Sequence, residues 1–271
     1  MRGKSMLAGL LGGLLLSWAG AGLAQEATAS AAKVWIGHYE AYEEFLKTAR
    51  IEREERIPLG VTKPIRVYFE PGGLAESAVI KPLQPGRSSV GYFESYQSEI
   101  AAYEMDRLLG LDMVPVTVER LYSGRRASAQ LWVENAVQLA SLQREGQRSP
   151  DPLSYSKQVR RWRVFGNLIA NIDPNEGNNL VVRDPDWLLV LVDHSRAFTN
   201  RRDLVFDRNN MNLIDRPFYE RVKGLTKEML DEKVSKLVLD GSTSILRRRD
   251  AIVDHFEKLE KEKGAEAVFT P

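Results

Sequence analysis

The sequence predicts an α+β protein of two lobes, the first built mainly from antiparallel strands and the second mainly from helices. The first half contains short alternating or apolar runs separated by turn residues, with one amphipathic helix. The second half contains long amphipathic segments and a single hairpin. We therefore expect a helical extension over residues 25–56, an N-lobe over 57–136, a C-lobe over 137–264 and a tail over 265–271, with a charged, solvated segment over 258–267.

Composition narrows the classes of function. The formal net charge of +1 and the lack of long like-charge blocks predict no nucleic-acid partner. The absence of cysteine excludes disulfides, thiolate metal sites and cysteine nucleophiles. The three histidines lie far apart without HExxH spacing, so a zinc hydrolase is not expected.

The N-terminus is typical of a signal peptide over residues 1–24. Arg2 and Lys4 precede an apolar run that ends in small residues before Gln25, which predicts cleavage after Ala24 and an exported, periplasmic or secreted protein. Because the run approaches the length of about 20 residues that spans a bilayer, an uncleaved anchor remains the alternative. Membrane association is expected only in that case.

Lys81 and Glu99 are the candidate residues of the N-lobe. Lys81 lies in a strand predicted over residues 78–83, which returns from a strand over 65–69. It is either a solvated surface lysine or a fixed cation for phosphate oxygens. Glu99 lies in the first turn of a helix predicted over 97–111, where it either complements the helix dipole or reaches Lys81.

The remaining segments follow the same patterns. Further strands are predicted over residues 113–119 and 129–135, a polar loop over 137–152, and helices over 35–51, 155–171, 225–239 and 244–259. On the helix 155–171 we expect Arg160, Arg161 and Arg163 to face solvent.

A group of oxygen-bearing side chains surrounds the predicted hairpin. Asp173 and Asn178 precede it, and Asp193 follows its second strand. A hairpin centred between Pro185 and Asp186 places residue 178 opposite residue 193. Carboxylate and amide oxygens suit Mg²⁺ or Mn²⁺, which keep several waters and bind phosphates. The alternative is that these are ordinary polar residues at strand ends.

Three segments resemble the kinase fold in its atypical branch. They are SEIAAYEMDRLLGLDMVP (residues 98–115), DPNEGN (173–178), which is similar to a D-x-H-x-x-N catalytic loop, and LVDHS (191–195), which is similar to a metal-binding Asp after a hydrophobic strand. The branch includes the secretory-pathway casein and xylose kinases, the HipA-type kinases and the phosphatidylinositol kinases. The resemblance covers about residues 57–200 and implies a two-lobed protein-kinase-like fold.

The resemblance also implies a role for each candidate residue in the binding of ATP. Lys81 would hold the nucleotide phosphates, and Glu99 would orient Lys81 or reach the metal. The hinge strand, with Trp132 and Val133, would bind adenine through its backbone.

The remaining implied roles concern catalysis and the metal. Asp173 would accept the proton of the substrate hydroxyl or position it, and Asn178 and Asp193 would hold Mg²⁺ or Mn²⁺. The sequence departs from the family pattern at Asn175, which replaces the loop histidine, and at Pro174, which replaces a basic residue.

The implied function is that of an exported, metal-dependent kinase that transfers the γ-phosphate of ATP to a hydroxyl of a protein, sugar or small-molecule acceptor. Two alternatives stay open. One is an inactive kinase fold that binds a nucleotide or a partner. The other is a hydrolase that uses Asp173 and Asp193 as an acid/base pair. For the loop that covers the phosphates, Gly60 or Gly72-Gly73 are the candidates, although neither lies in a GxGxxG pattern.

Overall fold

The computed structural model describes residues 33–58, 64–87, 93–173, 176–183, 186–205 and 208–271. The predicted signal peptide (1–24), Gly60 of the candidate phosphate loop, and Pro174 and Asn175 lie outside the described residues. Among the described residues, no helix has the length and apolar character needed to cross a membrane.

The N-lobe is built on a five-stranded antiparallel sheet of β1 (Ile51–Arg56), β2 (Ile65–Phe69), β3 (Ser77–Lys81), β6 (Thr117–Tyr122) and β7 (Arg125–Leu131). The strands lie in the order β1-β2-β3-β7-β6. The charged strand β1 was predicted as part of a helical extension. It has no apolar alternation because it forms an exposed edge of the sheet, where charged side chains are common.

Two helices, α1 (Tyr39–Thr48) and α2 (Tyr96–Leu109), pack against β6 and β7. The two-residue strands β4 (Gly86–Arg87) and β5 (Phe93–Glu94) precede α2. Ser95 caps the N-terminus of α2, and Gly110 ends the helix in the left-handed conformation that glycine adopts readily.

The strand predicted over residues 113–119 begins instead at Thr117. The buried carboxylate of Asp106 accepts hydrogen bonds from the amides of Asp112 (3.0 Å), Met113 (2.9 Å) and Val114 (2.8 Å). These amides are therefore satisfied by a side chain, and the segment needs no strand partner.

The C-lobe starts with β8 (Ala136–Gln138) and α3 (Leu139–Arg144), so the predicted polar loop over 137–152 is wrong. Leu139 and Leu142 bury one face of α3. The long helix α4 (Pro152–Leu168) follows, and Asp151 caps its N-terminus. The prediction that Arg161 faces solvent is also wrong, because Arg161 forms two hydrogen bonds, of 2.8 and 2.6 Å, with the buried Asp215.

The predicted hairpin is formed by β9 (Asn179–Val182) and β10 (Leu188–Leu191), but its register differs by one residue from the prediction. Asn179 lies opposite Leu191, and the Asn178 carbonyl accepts a hydrogen bond from the Val192 amide at 3.0 Å. Trp187 has a positive φ of 52° and its amide donates to the Arg183 carbonyl, so it belongs to the turn. Residue 178 therefore lies opposite residue 192.

The C-terminal part consists of β11 (Ile214–Asp215), α5 (Arg216–Lys223), α6 (Lys227–Lys233), α7 (Thr243–Lys263), α8 (Ala265–Val268) and β12 (Phe269–Thr270), and packs on α4 through β11 and α7. The helix predicted over 244–259 lies within α7, whereas the helix predicted over 225–239 is too long, because α6 ends at Lys233. Residues 261–267 of the predicted charged segment are exposed, and the chain then ends in β12, which pairs with β11 and buries Val268 and Phe269. Buried side chains of both lobes form one continuous hydrophobic core.

Candidate active site

A cleft of about 510 Å³ lies where β3 and the segment after β7 face the β9–β10 hairpin. This volume falls in the range of small-molecule sites. Of the seven residues predicted for the site, five line the cleft: Lys81, Trp132, Val133, Asn178 and Asp193. The structure thus brings together residues that are up to 112 positions apart in sequence.

Lys81 and Glu99 form a buried ion pair at the inner end of the cleft. The Lys81 Nζ lies 2.6 Å from Glu99 Oε1 and 2.8 Å from Asp193 Oδ1. Glu99 Oε2 accepts a hydrogen bond from the His194 amide at 3.0 Å. The side chains of Lys81 and Glu99 are only 9% and 1% exposed. Lys81 is therefore not a solvated surface lysine, and Glu99 is not a carboxylate that only complements the helix dipole.

The charges around Lys81 keep its ammonium group protonated. Burial alone would lower the pKa of Lys81, but the carboxylates of Glu99 and Asp193 raise it above its usual value. Burial would raise the pKa of Asp193, yet the Lys81 ammonium outweighs burial and lowers it. Burial raises the pKa of Glu99 despite the same ammonium. Burial and the Lys81 charge lower the pKa of His194 to about 4, so its ring is neutral near pH 7.

Asp193 occupies an uncommon backbone conformation with a φ of 63°. Aspartate tolerates the left-handed region better than most residues, and such conformations concentrate at functional sites. Lys81 and Ser195 both contact Asp193 Oδ1, at 2.8 and 3.2 Å, whereas no described residue bonds to Oδ2. The side chain therefore has one oxygen held by the protein and one oxygen available to a ligand.

The segment after β7 lines the cleft with Trp132 and Val133. The Trp132 amide is already bonded to the Ser77 carbonyl at 3.2 Å, whereas neither the amide nor the carbonyl of Val133 bonds to a described residue. The guanidinium of Arg66 stacks on the Trp132 ring at 3.9 Å and also bonds to Glu134 at 3.0 Å. Val133 can thus present both its amide and its carbonyl to a heterocycle, and the Trp132 ring is held in place beside it.

Asp173 is joined to the same site by a residue that the sequence did not reveal. Its Oδ2 accepts a hydrogen bond from Arg196 Nη1 at 3.0 Å, and Arg196 binds Glu94 Oε1 through Nε at 2.8 Å and Nη2 at 2.7 Å. The Asp173 amide donates to the Asn171 side chain at 3.1 Å. Arg196 follows Asp193 by three positions, and that proximity was the available signal.

The donor set fits a divalent ion that also binds phosphates. Among the described residues there is no group of three or more His, Asp or Glu side chains placed to hold a metal ion. Mg²⁺ and Mn²⁺ do not need such a cage, because one or two protein oxygens, waters and phosphates complete their coordination. Asp193 and Asn178 supply such oxygens on the cleft wall.

The alternative of an acid/base hydrolase is not favoured by this geometry. Asp173 is ion-paired with Arg196 and Asp193 with Lys81. A general acid must hold a proton near neutral pH, and the lowered pKa of Asp193 has the opposite effect.

Comparison with known proteins places this geometry in a known architecture. No protein-family model matches the chain, and no curated protein matches its sequence. Solved structures do match. The Golgi casein kinase with Mn and ADP bound shares 14% identity at a TM-score of 0.64, over 86% of this chain and 78% of that chain. The structure of hydra Fam20 with sugar shares 16% identity at a TM-score of 0.68, over 86% and 93% of the two chains.

These likenesses show the fold, which is the two-lobed fold of the atypical kinases. The α+β prediction of a β-rich N-lobe and a mainly helical C-lobe is confirmed. At identities of 14% and 16%, the roles of individual residues rest on the geometry described above.

Proposed function

We propose that the protein is an exported, metal-dependent kinase that transfers the γ-phosphate of ATP to a hydroxyl of a protein, sugar or small-molecule acceptor. The buried contact of Lys81 with both Glu99 and Asp193, at the inner end of a nucleotide-sized cleft, carries this proposal. A cation held by two carboxylates is preorganised for phosphate oxygens and needs no rearrangement when the nucleotide binds.

Each side chain has a role in the proposed reaction. Lys81 binds the phosphates, Glu99 fixes Lys81, and the backbone of Val133 pairs with the edge of adenine while Trp132 flanks it. Asn178 and Asp193 would hold Mg²⁺ or Mn²⁺, which neutralises phosphate charge when bound. The Golgi casein kinase structure with Mn and ADP bound supports this choice of nucleotide and metals.

The reaction joins the acceptor oxygen to the γ-phosphorus and breaks the bond between that phosphorus and the oxygen that bridges it to the β-phosphate. ADP leaves with this bridging oxygen. Asp173 positions the acceptor hydroxyl and receives its proton.

The proposal of export is supported by the sequence of residues 1–24, which has the three regions of a signal peptide. N-terminal sequencing of the protein recovered from outside the cytoplasm tests this point, and a new N-terminus at Gln25 is expected. Recovery of the intact segment in the membrane fraction would instead support the anchor.

Transfer of label from γ-labelled ATP tests the activity. Casein and free sugars are the first acceptors, chosen because the similar structures are a casein kinase and a protein with bound sugar. Labelled product that requires Mn²⁺ or Mg²⁺ and is absent with the Asp193→Ala protein would support the proposal. Nucleotide-dependent thermal stabilisation without any transfer or ATP turnover would favour the inactive nucleotide-binding module.

A further inference from the structure

The start of α2 and residues 193–197 are joined by a row of contacts, which we call the seam. The Ser95 amide donates to the Ser195 carbonyl at 3.0 Å, and Ser98 Oγ donates to the Ala197 carbonyl at 3.3 Å. The His194 amide donates to Glu99 Oε2 at 3.0 Å. The seam therefore fixes the backbone around Asp193 to the helix that carries Glu99.

The side chain of Arg196, one of the seam residues, binds two carboxylates that lie outside the seam. Its Nε and Nη2 bind the Glu94 carboxylate of β5, and its Nη1 binds Asp173 Oδ2 in the C-lobe. The side chains of Arg196, Glu94 and Asp173 are 15%, 9% and 31% exposed. A guanidinium that binds two carboxylates with separate N–H groups, one of them nearly buried, is rigid, because its fork geometry fixes both partners.

The contact with Arg196 uses only one of the two carboxylate oxygens of Asp173. Arg196 bonds to Oδ2, whereas no described residue bonds to Asp173 Oδ1. The backbone of Asp173 is held at one further point, by the Asn171 side chain. Arg196 thus determines the orientation of the carboxylate and leaves one oxygen available for an acceptor hydroxyl.

We infer that Arg196 is a positioning residue, which sets the orientation of the Asp173 carboxylate for phosphoryl transfer and ties it, through Glu94, to the start of α2. This inference rests on the proposed function. It adds that Asp173 is held by the same rigid unit that holds Glu99, because Glu94 directly precedes the Ser95 cap of α2. The acceptor-binding group and the phosphate-binding group are thereby kept in a fixed relation across the lobes.

The test is ADP formation from Mn²⁺–ATP in water, which needs no known acceptor. The purified protein is compared with Arg196→Met, Asp173→Asn and the double variant. Arg202→Met is the matched control, since Arg202 is an exposed arginine that bonds to no described residue. We expect Arg196→Met to lower kcat by about 10- to 100-fold, the effect of a catalytic group displaced by about 1 Å. The KM for Mn²⁺–ATP should stay within about 2-fold of the wild-type value, because the variant loses an interaction that is made only in the transition state.

The double variant shows whether Arg196 acts through Asp173. If it does, the double variant has the kcat of Asp173→Asn alone, because residues that act as a unit are not additive. Multiplicative losses would overturn the inference, as would an Arg196→Met protein with unchanged kcat. If the Arg196→Met protein does not fold, Arg196→Lys replaces it in the same comparison with Asp173→Asn and the double variant. A lysine ammonium cannot reproduce the separate N–H groups of the guanidinium.

Loss of Mn²⁺–ADP thermal stabilisation in Arg196→Met would indicate a general structural role and would also overturn the inference. If the wild-type protein forms no ADP, the proposed function fails and the role of Arg196 fails with it. Wild-type turnover that survives Arg196→Met overturns the role of Arg196 alone.

Discussion

Replacement of Lys81 by methionine removes the cation from the centre of the site while it keeps most of the side-chain volume. The change leaves Glu99 fully buried, with the His194 amide as its remaining hydrogen-bond donor. Asp193 is 31% exposed and can be solvated in part. The main cost therefore arises at Glu99.

The structure allows the size of this cost to be worked out. Loss of one partner from a buried ion pair costs about 3–5 kcal/mol, because a charge stays buried without compensation. For a domain of this size each kcal/mol corresponds to about 2–4 °C in Tm, so Lys81→Met should melt about 6–20 °C below the wild type. The double variant Lys81→Met/Glu99→Gln removes both charges, and we expect it to regain more than half of the loss.

Urea unfolding and thermal melting of the three proteins at pH 7, without nucleotide or metal, measure these differences. The wild type, Lys81→Met and the double variant form a matched series with nearly constant side-chain volume. A Lys81→Met protein within about 0.5 kcal/mol of the wild type, the range of ordinary surface substitutions, would refute the buried ion pair. A double variant less stable than Lys81→Met would show that Glu99 does not carry the cost.

Further predictions concern pH, packing and the ligand. Because burial keeps His194 neutral in the folded protein while the unfolded chain takes up a proton, stability should fall as pH drops from 6.5 towards 4. His194→Phe should remove up to about 3 kcal/mol of this fall, measured by urea unfolding at several pH values. Arg161→Met should cost about 3 kcal/mol in urea unfolding, since it leaves the buried Asp215 unpaired, whereas Arg160→Met should change stability by less than about 0.5 kcal/mol. Asp193→Ala should abolish the rise in Tm that Mn²⁺–ADP gives the wild type; an equal rise in both proteins would contradict the assignment.

The sequence predicted those parts of the fold in which side-chain periodicity matches burial. The helix α2, with its apolar stripe and closing glycine, and the strands β2 and β3 lie within a few residues of their predicted positions. The joint pattern of Lys81, Glu99 and Asp193 was also recognisable, because its residue types and their order resemble those of the atypical kinases. The structure places the Glu99 and Asp193 carboxylates within hydrogen-bond distance of Lys81 Nζ.

Features that depend on long-range partners were not predictable. The charged strand β1 shows no alternation of apolar and polar residues, because it is held by its pairing with β2 and its side chains are mostly exposed. The buried role of Arg161 depends on Asp215, which is 54 residues away. The bridge from Glu94 through Arg196 to Asp173 spans 102 and 23 positions of sequence, and no local pattern records it.

The most direct test of the central claim is the rate at which the purified protein forms ADP from ATP with Mn²⁺ or Mg²⁺, with Asp193→Ala as the control. The account predicts metal-dependent ADP formation by the wild type and its loss in the variant. No ADP formation, together with melting temperatures of both proteins that metal plus ATP leave unchanged, would contradict the assignment of a nucleotide site to this cleft.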